Sequence, residues 1–126
     1  MAELDSNKNL AVRYMEEVFN QRKFDVLSEL YAPEALETVR PMTVGFLSAF
    51  PDWHGTIEDL FAEGDRVVNR WVGHGTNTQP LMGMPPTGKA VTLEGITIFK
   101  VADGKVVQQW SQADQLSLMR QLGVVP

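Results

Sequence analysis

Residues 90–114, AVTLEGITIFKVADGKVVQQWSQAD, decide the fold. Ala90 to Val101 is a long run rich in β-branched residues, which predicts a strand. Asp103-Gly104 is a hairpin turn signal, and Lys105 to Asp114 has the length to pair back. The same pattern holds upstream. Arg66 to Thr78 carries Val67, Val68, Trp71 and Val72 and predicts a second long strand. Thr56 to Ala62 predicts a shorter one, joined to it at the Gly64-Asp65 turn. Gln79 to Gly88, with three prolines and two glycines, is a loop. The C-terminal two-thirds of the chain therefore reads as an antiparallel meander.

The N-terminal third has a different period. Leu10, Ala11, Tyr14, Met15, Val18 and Phe19 recur at helical spacing and give one apolar face. Asp5 or Ser6 is the expected cap. Asn20-Gln21-Arg22 breaks the pattern, and Phe24, Leu27, Leu30 and Tyr31 mark a second helix ending before Pro33. A third short helix is expected from Pro41 to Phe50, with the proline in its first turn. Gln115 to Leu122 predicts a closing helix that Gly123 stops. Helices followed by a meander make an α+β layout rather than a βαβ repeat. A curved antiparallel sheet wrapped over the N-terminal helices, as a cone or α+β barrel, would enclose an apolar pocket. Residues 1–126 form one domain, since the length suits one and not two.

Composition excludes several classes. The net charge is -5, so the basic footprint of a nucleic-acid binder is missing, as is a polybasic membrane patch. No apolar run approaches the roughly 18 residues of a membrane span, and the first ten residues hold no signal core. With no cysteine there is no disulfide, thiolate metal site or cysteine nucleophile, which suits a cytoplasmic setting. His54 and His74 are the only histidines and lack metal-ligand spacing, so no metal is expected.

Several segments together resemble the SnoaL-like polyketide cyclases of the nuclear-transport-factor-2-like cone fold. AVRYMEEVFNQRKFDVLSELYAPEA (residues 11–35) is similar to the family's opening pair of helices and its "apea" bend. Ala49-Phe50-Pro51-Asp52 resembles an "aFPD" junction, and Glu58 to Val68 resembles the first hairpin. Gly83-Met84-Pro85-Pro86-Thr87-Gly88-Lys89 resembles the "GxPPTGk" loop and is the most specific signal. Asp103 to Trp110 followed by Asp114 resembles the last hairpin and its "WxxxD" ending. Two departures are visible. Glu37-Thr38-Val39-Arg40-Pro41 runs straight on where relatives carry a longer connection with a histidine. Asn77 stands where many have the histidine of "GTHTG".

The resemblance implies a homodimeric, cofactor-independent and metal-independent enzyme acting on a small hydrophobic, polyketide-like carbonyl compound by intramolecular aldol-type ring closure. It assigns the acid/base role to Asp114. Gln108, Trp110, Gln112 and Asp114 alternate onto one strand face and suit a pocket wall, while Asp114 also stands where it would cap the closing helix. On the second strand Val68, Arg70, Val72, His74 and Thr76 share a face. There Arg70 is a candidate to hold a carbonyl, and His74 a second acid/base or a structural histidine. Asn77 and Gln112 are candidate donors to an enolate oxygen. Tyr14 is a core residue or pocket donor, and Met82 and Met84 suit a pliable lid. Trp53 and Phe99 suit ligand contact or core packing. An epoxide-hydrolase-like site is incomplete, because Val72 stands where an aspartate would follow Arg70. A ketosteroid-isomerase-like site lacks matching motifs. A non-catalytic ligand carrier or protein-interaction module of the same fold is the remaining alternative.

Overall fold

The computed structural model describes residues 2–126. Helix α1, Ala2–Arg13, continues as a wider π-type helix over Tyr14–Asn20. A 3₁₀ turn at Phe24–Val26 leads into α2, Leu27–Leu30, and α3 spans Pro33–Ala49. Strands β1 (His54–Glu63), β2 (Arg66–Thr76), β3 (Ala90–Ala102) and β4 (Lys105–Ala113) follow, and α4 (Gln115–Leu122) closes the chain. The sheet is antiparallel in the order β1-β2-β3-β4, the meander expected from the sequence. Asp103 and Gly104 take φ of 52° and 76°, the two positive angles a tight hairpin turn demands.

Two helical boundaries differ from expectation. The first helix is already formed at Ala2, so Asp5 lies inside its first turn, near Lys8. There a carboxylate faces the positive end of the helix dipole instead of capping it. The third helix starts at Pro33, not Pro41. Ala32 is extended (ψ 152°) and Pro33 takes a first-turn position, where a missing N–H costs nothing. Pro41 then sits inside the helix, where it deprives the Glu37 carbonyl of its helical donor. Residues 37–41 are thus helix, without the longer connection of relatives.

The register defines two sheet faces. Val67, Asn69, Trp71, Gly73 and Gly75 of β2 face the helices together with Val91, Leu93, Gly95, Thr97 and Phe99 of β3. This face packs in two clusters. One joins Tyr14, Val18, Leu27, Leu30 and Tyr31 to Val67 and Phe99. The other joins Leu47, Phe50 and Trp53 to Leu93, Leu118 and Leu122. Arg66, Val68, Arg70, Val72, His74 and Thr76 point to the outer face, where α1–α4 do not pack.

Trp53 is 4% exposed and lies against a glycine strip. A Cβ placed on Gly73 would fall 2.3 Å from a Trp53 ring carbon, and one on Gly75 would fall 3.0 Å from another. Phe46 and Phe50 at the end of α3 hold the opposite side of the ring, with centroids at 4.8 and 5.5 Å. A Gly73→Ala substitution therefore requires the tryptophan or the strand to move. It is expected to cost about 2 kcal/mol or more in equilibrium urea unfolding, with Trp53 fluorescence altered in the folded state.

Candidate functional site

The strand faces decide where each candidate side chain stands. Trp110 and Gln112 of β4 pair with Ile98 and Ile96 and lie on the outer face, so the wall expected to line an interior pocket faces away from the helices. Trp110 is 42% exposed, and the Arg66 guanidinium sits 5.0 Å from its ring centroid. Arg70 is on the same face. Its Nε donates to Asp59 Oδ2 at 2.6 Å, and that bond with the carboxylate charge raises its pKa further above the ordinary arginine value.

Three expected site residues do converge. Arg70, Gln112 and Asp114 share an outer groove of about 320 Å3 with Glu94 and Ile96. The backbone of Gly95 forms part of its floor. Asp114 is exposed, and it caps α4 as the sequence allowed: Oδ1 accepts from Ser117 N at 3.0 Å. Its own N–H donates to the Glu94 carbonyl, tying the helix start to β3. Among the described residues Oδ2 has no protein donor.

The other candidates lie apart from this groove. His74 pairs across the strands with His54, ring centroids 6.0 Å apart, and is exposed. It borders a separate depression of about 210 Å3 with Asp52, Thr76 and Gln121. No group of three potential metal ligands occurs among the described residues. Tyr14 is interior. Its hydroxyl meets Thr43 Oγ1 at 2.8 Å, and burial raises its pKa. Met82 is at the loop tip, 76% exposed with φ 48°, whereas Met84 is half-buried against the second cluster.

Asn77 requires a correction. It is 1% exposed, and its amide donates to the carbonyls of Ala49 (3.4 Å) and Gln79 (2.8 Å). Its Oδ1 accepts from the Thr87 N–H and hydroxyl at 2.9 and 3.2 Å. All four hydrogen-bonding positions of the amide are occupied by protein. Asn77 therefore holds the Gln79–Gly88 loop in place and has nothing left for a ligand.

The helix face of the sheet carries polar groups that the sequence reading did not single out. Asn69, Thr97 and Ser111 are direct cross-strand neighbours. Trp71 Nε1 donates to Thr97 Oγ1 at 3.0 Å, and Thr97 Oγ1 meets Ser111 Oγ at 2.9 Å. In the next row the Tyr31 hydroxyl donates to Gln109 Oε1. Burial lifts the Tyr31 pKa well above the usual tyrosine value. Beside Gln109 and Ser111, a cavity of about 450 Å3 opens between α3 and β4, edged by Glu34, Thr38, Val39 and Met42. The signal for this face was present: on β3 the odd positions are apolar or small, while the even ones include Glu94 and Lys100.

A four-stranded antiparallel sheet over helices with clefts along its edges defines a cone-type α+β protein. The family model for SnoaL-like polyketide cyclases matches residues 9–122, and the chain belongs to that family. Among solved structures it is similar to TsrD from Streptomyces laurentii, with 28% identity and a TM-score of 0.88 over 96% of this chain and 97% of that one. IdmH, a candidate polyketide cyclase from Streptomyces antibioticus, is 27% identical with a TM-score of 0.80 over 93% and 98%. A SnoaL-like polyketide cyclase from Agrobacterium tumefaciens shares the fold at 22% identity and a TM-score of 0.79 over 93% and 98%. No functionally curated protein matches the sequence. No helix among the described residues is long and apolar enough to cross a membrane.

Asp52, in the "aFPD" junction, accepts the Thr76 N–H at 2.6 Å, and this bond lowers its carboxyl pKa from the ordinary 3.8. A depressed carboxylate stabilises the fold above its unfolded pKa, and the gain is lost as pH falls through the folded value. Asp52→Ala is therefore expected to lower the thermal midpoint at pH 7. The gap to wild type should narrow as the pH drops below 3.8, as followed by circular dichroism melts across the acid range.

Proposed function

We propose that this protein is a cofactor-independent acid/base enzyme of the polyketide-cyclase type, acting on a small hydrophobic carbonyl compound with Asp114 as the proton-transferring group. The observation that carries the reading is the convergence of Asp114, Arg70 and Gln112 on one groove. The cap bond fixes one carboxylate oxygen and leaves the other for substrate. Asp114 takes a proton from the carbon α to a carbonyl, and the electron pair moves onto the carbonyl oxygen as an enolate. The enolate carbon attacks a second carbonyl of the same molecule, a C–C bond forms, and the attacked oxygen becomes an alkoxide. The Asp114 carboxyl returns its proton to that oxygen. Arg70 binds Asp59 through Nε alone, so its terminal nitrogens are available with the Gln112 amide for the charged oxygens.

A second reading, ligand carriage without turnover, is favoured by one observation: the larger cavity between α3 and β4 contains neither Asp114 nor His74. Asp114→Ser separates the two, because serine caps a helix about as well as aspartate but carries no acid/base group at neutral pH. With 2-acetylnaphthalene in D2O, wild type is expected to accelerate exchange of the acetyl protons. The variant should fold normally and lose on the order of 100-fold of that rate. Equal exchange by both proteins would favour the carrier.

We also infer that two copies pair through the outer sheet face. Phe61, Val68, Ile98 and Trp110 are successive cross-strand partners, one apolar row spanning all four strands. Phe61 and Trp110 are 56% and 42% exposed, and a contiguous exposed apolar row of this kind marks an interaction surface. The row on one side carries Asp59 and Arg70, and that on the other Glu63, Arg66 and Lys100, so each flank offers both signs of charge to a two-fold partner. Trp110→Glu is expected to convert a dimer into a monomer in light scattering coupled to size-exclusion chromatography. A wild type that is already monomeric at the highest accessible concentration would refute the pairing.

A further inference from the structure

The chain's two histidines are twenty residues apart in sequence and directly opposite each other in space. The β1–β2 register brings them together. From Glu63 and Arg66 to Asp59 and Arg70 the strands pair in one register, and Glu58 is then the extra residue of a bulge that shifts the pairing by one. Without the bulge His54 would oppose Gly75 and point toward the helices. With it, β1 turns over: Leu60 and Ala62 pack inward before the shift, and Gly55 is an inward position after it. Bulges re-aim side chains in this way. His54 and His74 become one cross-strand pair on the outer face, with ring centroids 6.0 Å apart and planes tilted by 32°. Both are exposed. Among the described residues neither imidazole has a hydrogen-bond or ion-pair partner. The backbone beneath them is held from inside. Trp53, next to His54, wedges against Gly73 and Gly75, the two neighbours of His74. Both backbone groups of Gly55 are tied to the Asn20 side chain, at 2.8 and 3.0 Å. Two imidazoles therefore stand on a fixed base, and only their side-chain rotations remain to be ordered by a ligand.

We propose that His54 and His74 form a binding site for one divalent late-transition-metal ion of the zinc, nickel or copper kind, with water in the remaining coordination positions. Imidazole is a preferred ligand of these ions. With a metal–nitrogen distance of about 2.1 Å and the ring radius added, the ion lies roughly 3.2 Å from each centroid, so one ion joins rings whose centroids are up to about 6.4 Å apart. The observed 6.0 Å is within that reach. A side-chain rotation that brings the centroids to about 5 Å gives a tetrahedral angle at the ion. Asp52 and Thr76 border the depression beside His74, and the Asp52 carboxylate adds negative charge next to the cation. β1 is an edge strand, so the ion ties the free edge of the sheet to β2. The site is independent of the Arg70 and Asp114 groove, which contains neither histidine.

The probe is zinc chloride, titrated into tag-free protein at pH 7 and followed by calorimetry and by 15N NMR of the imidazole nitrogens. One zinc per chain is expected, with a dissociation constant on the order of 10 μM, since two ligands supply about half the binding free energy of a four-ligand zinc site. Both rings should shift together. The thermal midpoint should rise by about 5 °C or more at about 1 mM zinc, because the ion binds the folded state alone. Magnesium at the same concentration should do none of this, since it takes oxygen ligands. His54→Gln and His74→Gln, both at exposed positions, should keep the fold and each weaken zinc by about 10-fold or more. Either variant alone carries the test if the other misfolds. Asp114→Ser should bind zinc as wild type does, so failure of the Asp114 reading and failure of this one are separable. No saturable zinc binding below about 1 mM, binding that survives the glutamine substitutions, a shift of one ring only, or one zinc shared between two chains would each overturn the proposal.

Discussion

The packing of Trp53 against the glycines of β2 is the constraint on which the rest of the molecule depends. Burying an aromatic ring of this size is worth roughly 3 kcal/mol, but its position matters more than its area. The ring fills the space that side chains at Gly73 and Gly75 would occupy, and Phe46 and Phe50 close over it from the end of α3. The sheet is thereby fixed at one distance and angle from the long helix. Arg22 reinforces the same corner. Its guanidinium donates to the carbonyls of Phe50, Pro51 and Trp53, groups that no strand or helix satisfies. Asn20 pairs through its side chain with both backbone groups of Gly55, binding the end of the first helix to the start of β1. With this end locked, a cavity of about 450 Å3 opens at the opposite edge, between α3 and β4.

That arrangement divides polar chemistry between two faces of one thin sheet. On the outer face Asp114, Arg70 and Gln112 meet over Gly95. On the inner face Asn69, Thr97 and Ser111 form one polar cross-strand row. Gly95 belongs to both descriptions. The lack of a side chain lets Trp71 lie across it from inside, where a Cβ would fall 2.6 Å from the ring, while its backbone lines the groove from outside. In the proposed pairing, the second copy covers this open depression beside the outer apolar row and excludes water from it. Desolvation of this kind strengthens the pull of a guanidinium on a developing enolate.

Much of the fold was legible in the sequence because it rests on local signals. The β-branched runs, the Asp103-Gly104 turn and the helical spacing of Leu10 to Phe19 each specify their element without reference to distant residues. The errors lay where a local signal had two meanings. Pro41 suits a helix start, but Pro33 suits it as well, and only the packing of Val39, Thr43 and Leu47 under one continuous helix decides between them. Trp110 is a large aromatic on an alternating strand, and size argues for the interior. The register puts it outside, because Val106 and Gln109 already meet the helices through Tyr31.

The sequence by itself determined the α+β order, the four-stranded meander and the family, since each is written in periods, turns and short motifs that neighbouring residues complete. It also placed Asp114 at the junction of β4 and α4. Tertiary structure alone decided which face of the sheet is interior, because alternation gives two equivalent faces until the helices choose one. That choice moved Trp110, Gln112, Arg70 and His74 outward, bound Asn77 fully into its loop, and left Asn69 Oδ1 buried without a partner among the described residues. An unpaired atom is a property of everything that surrounds it, and no stretch of sequence records it.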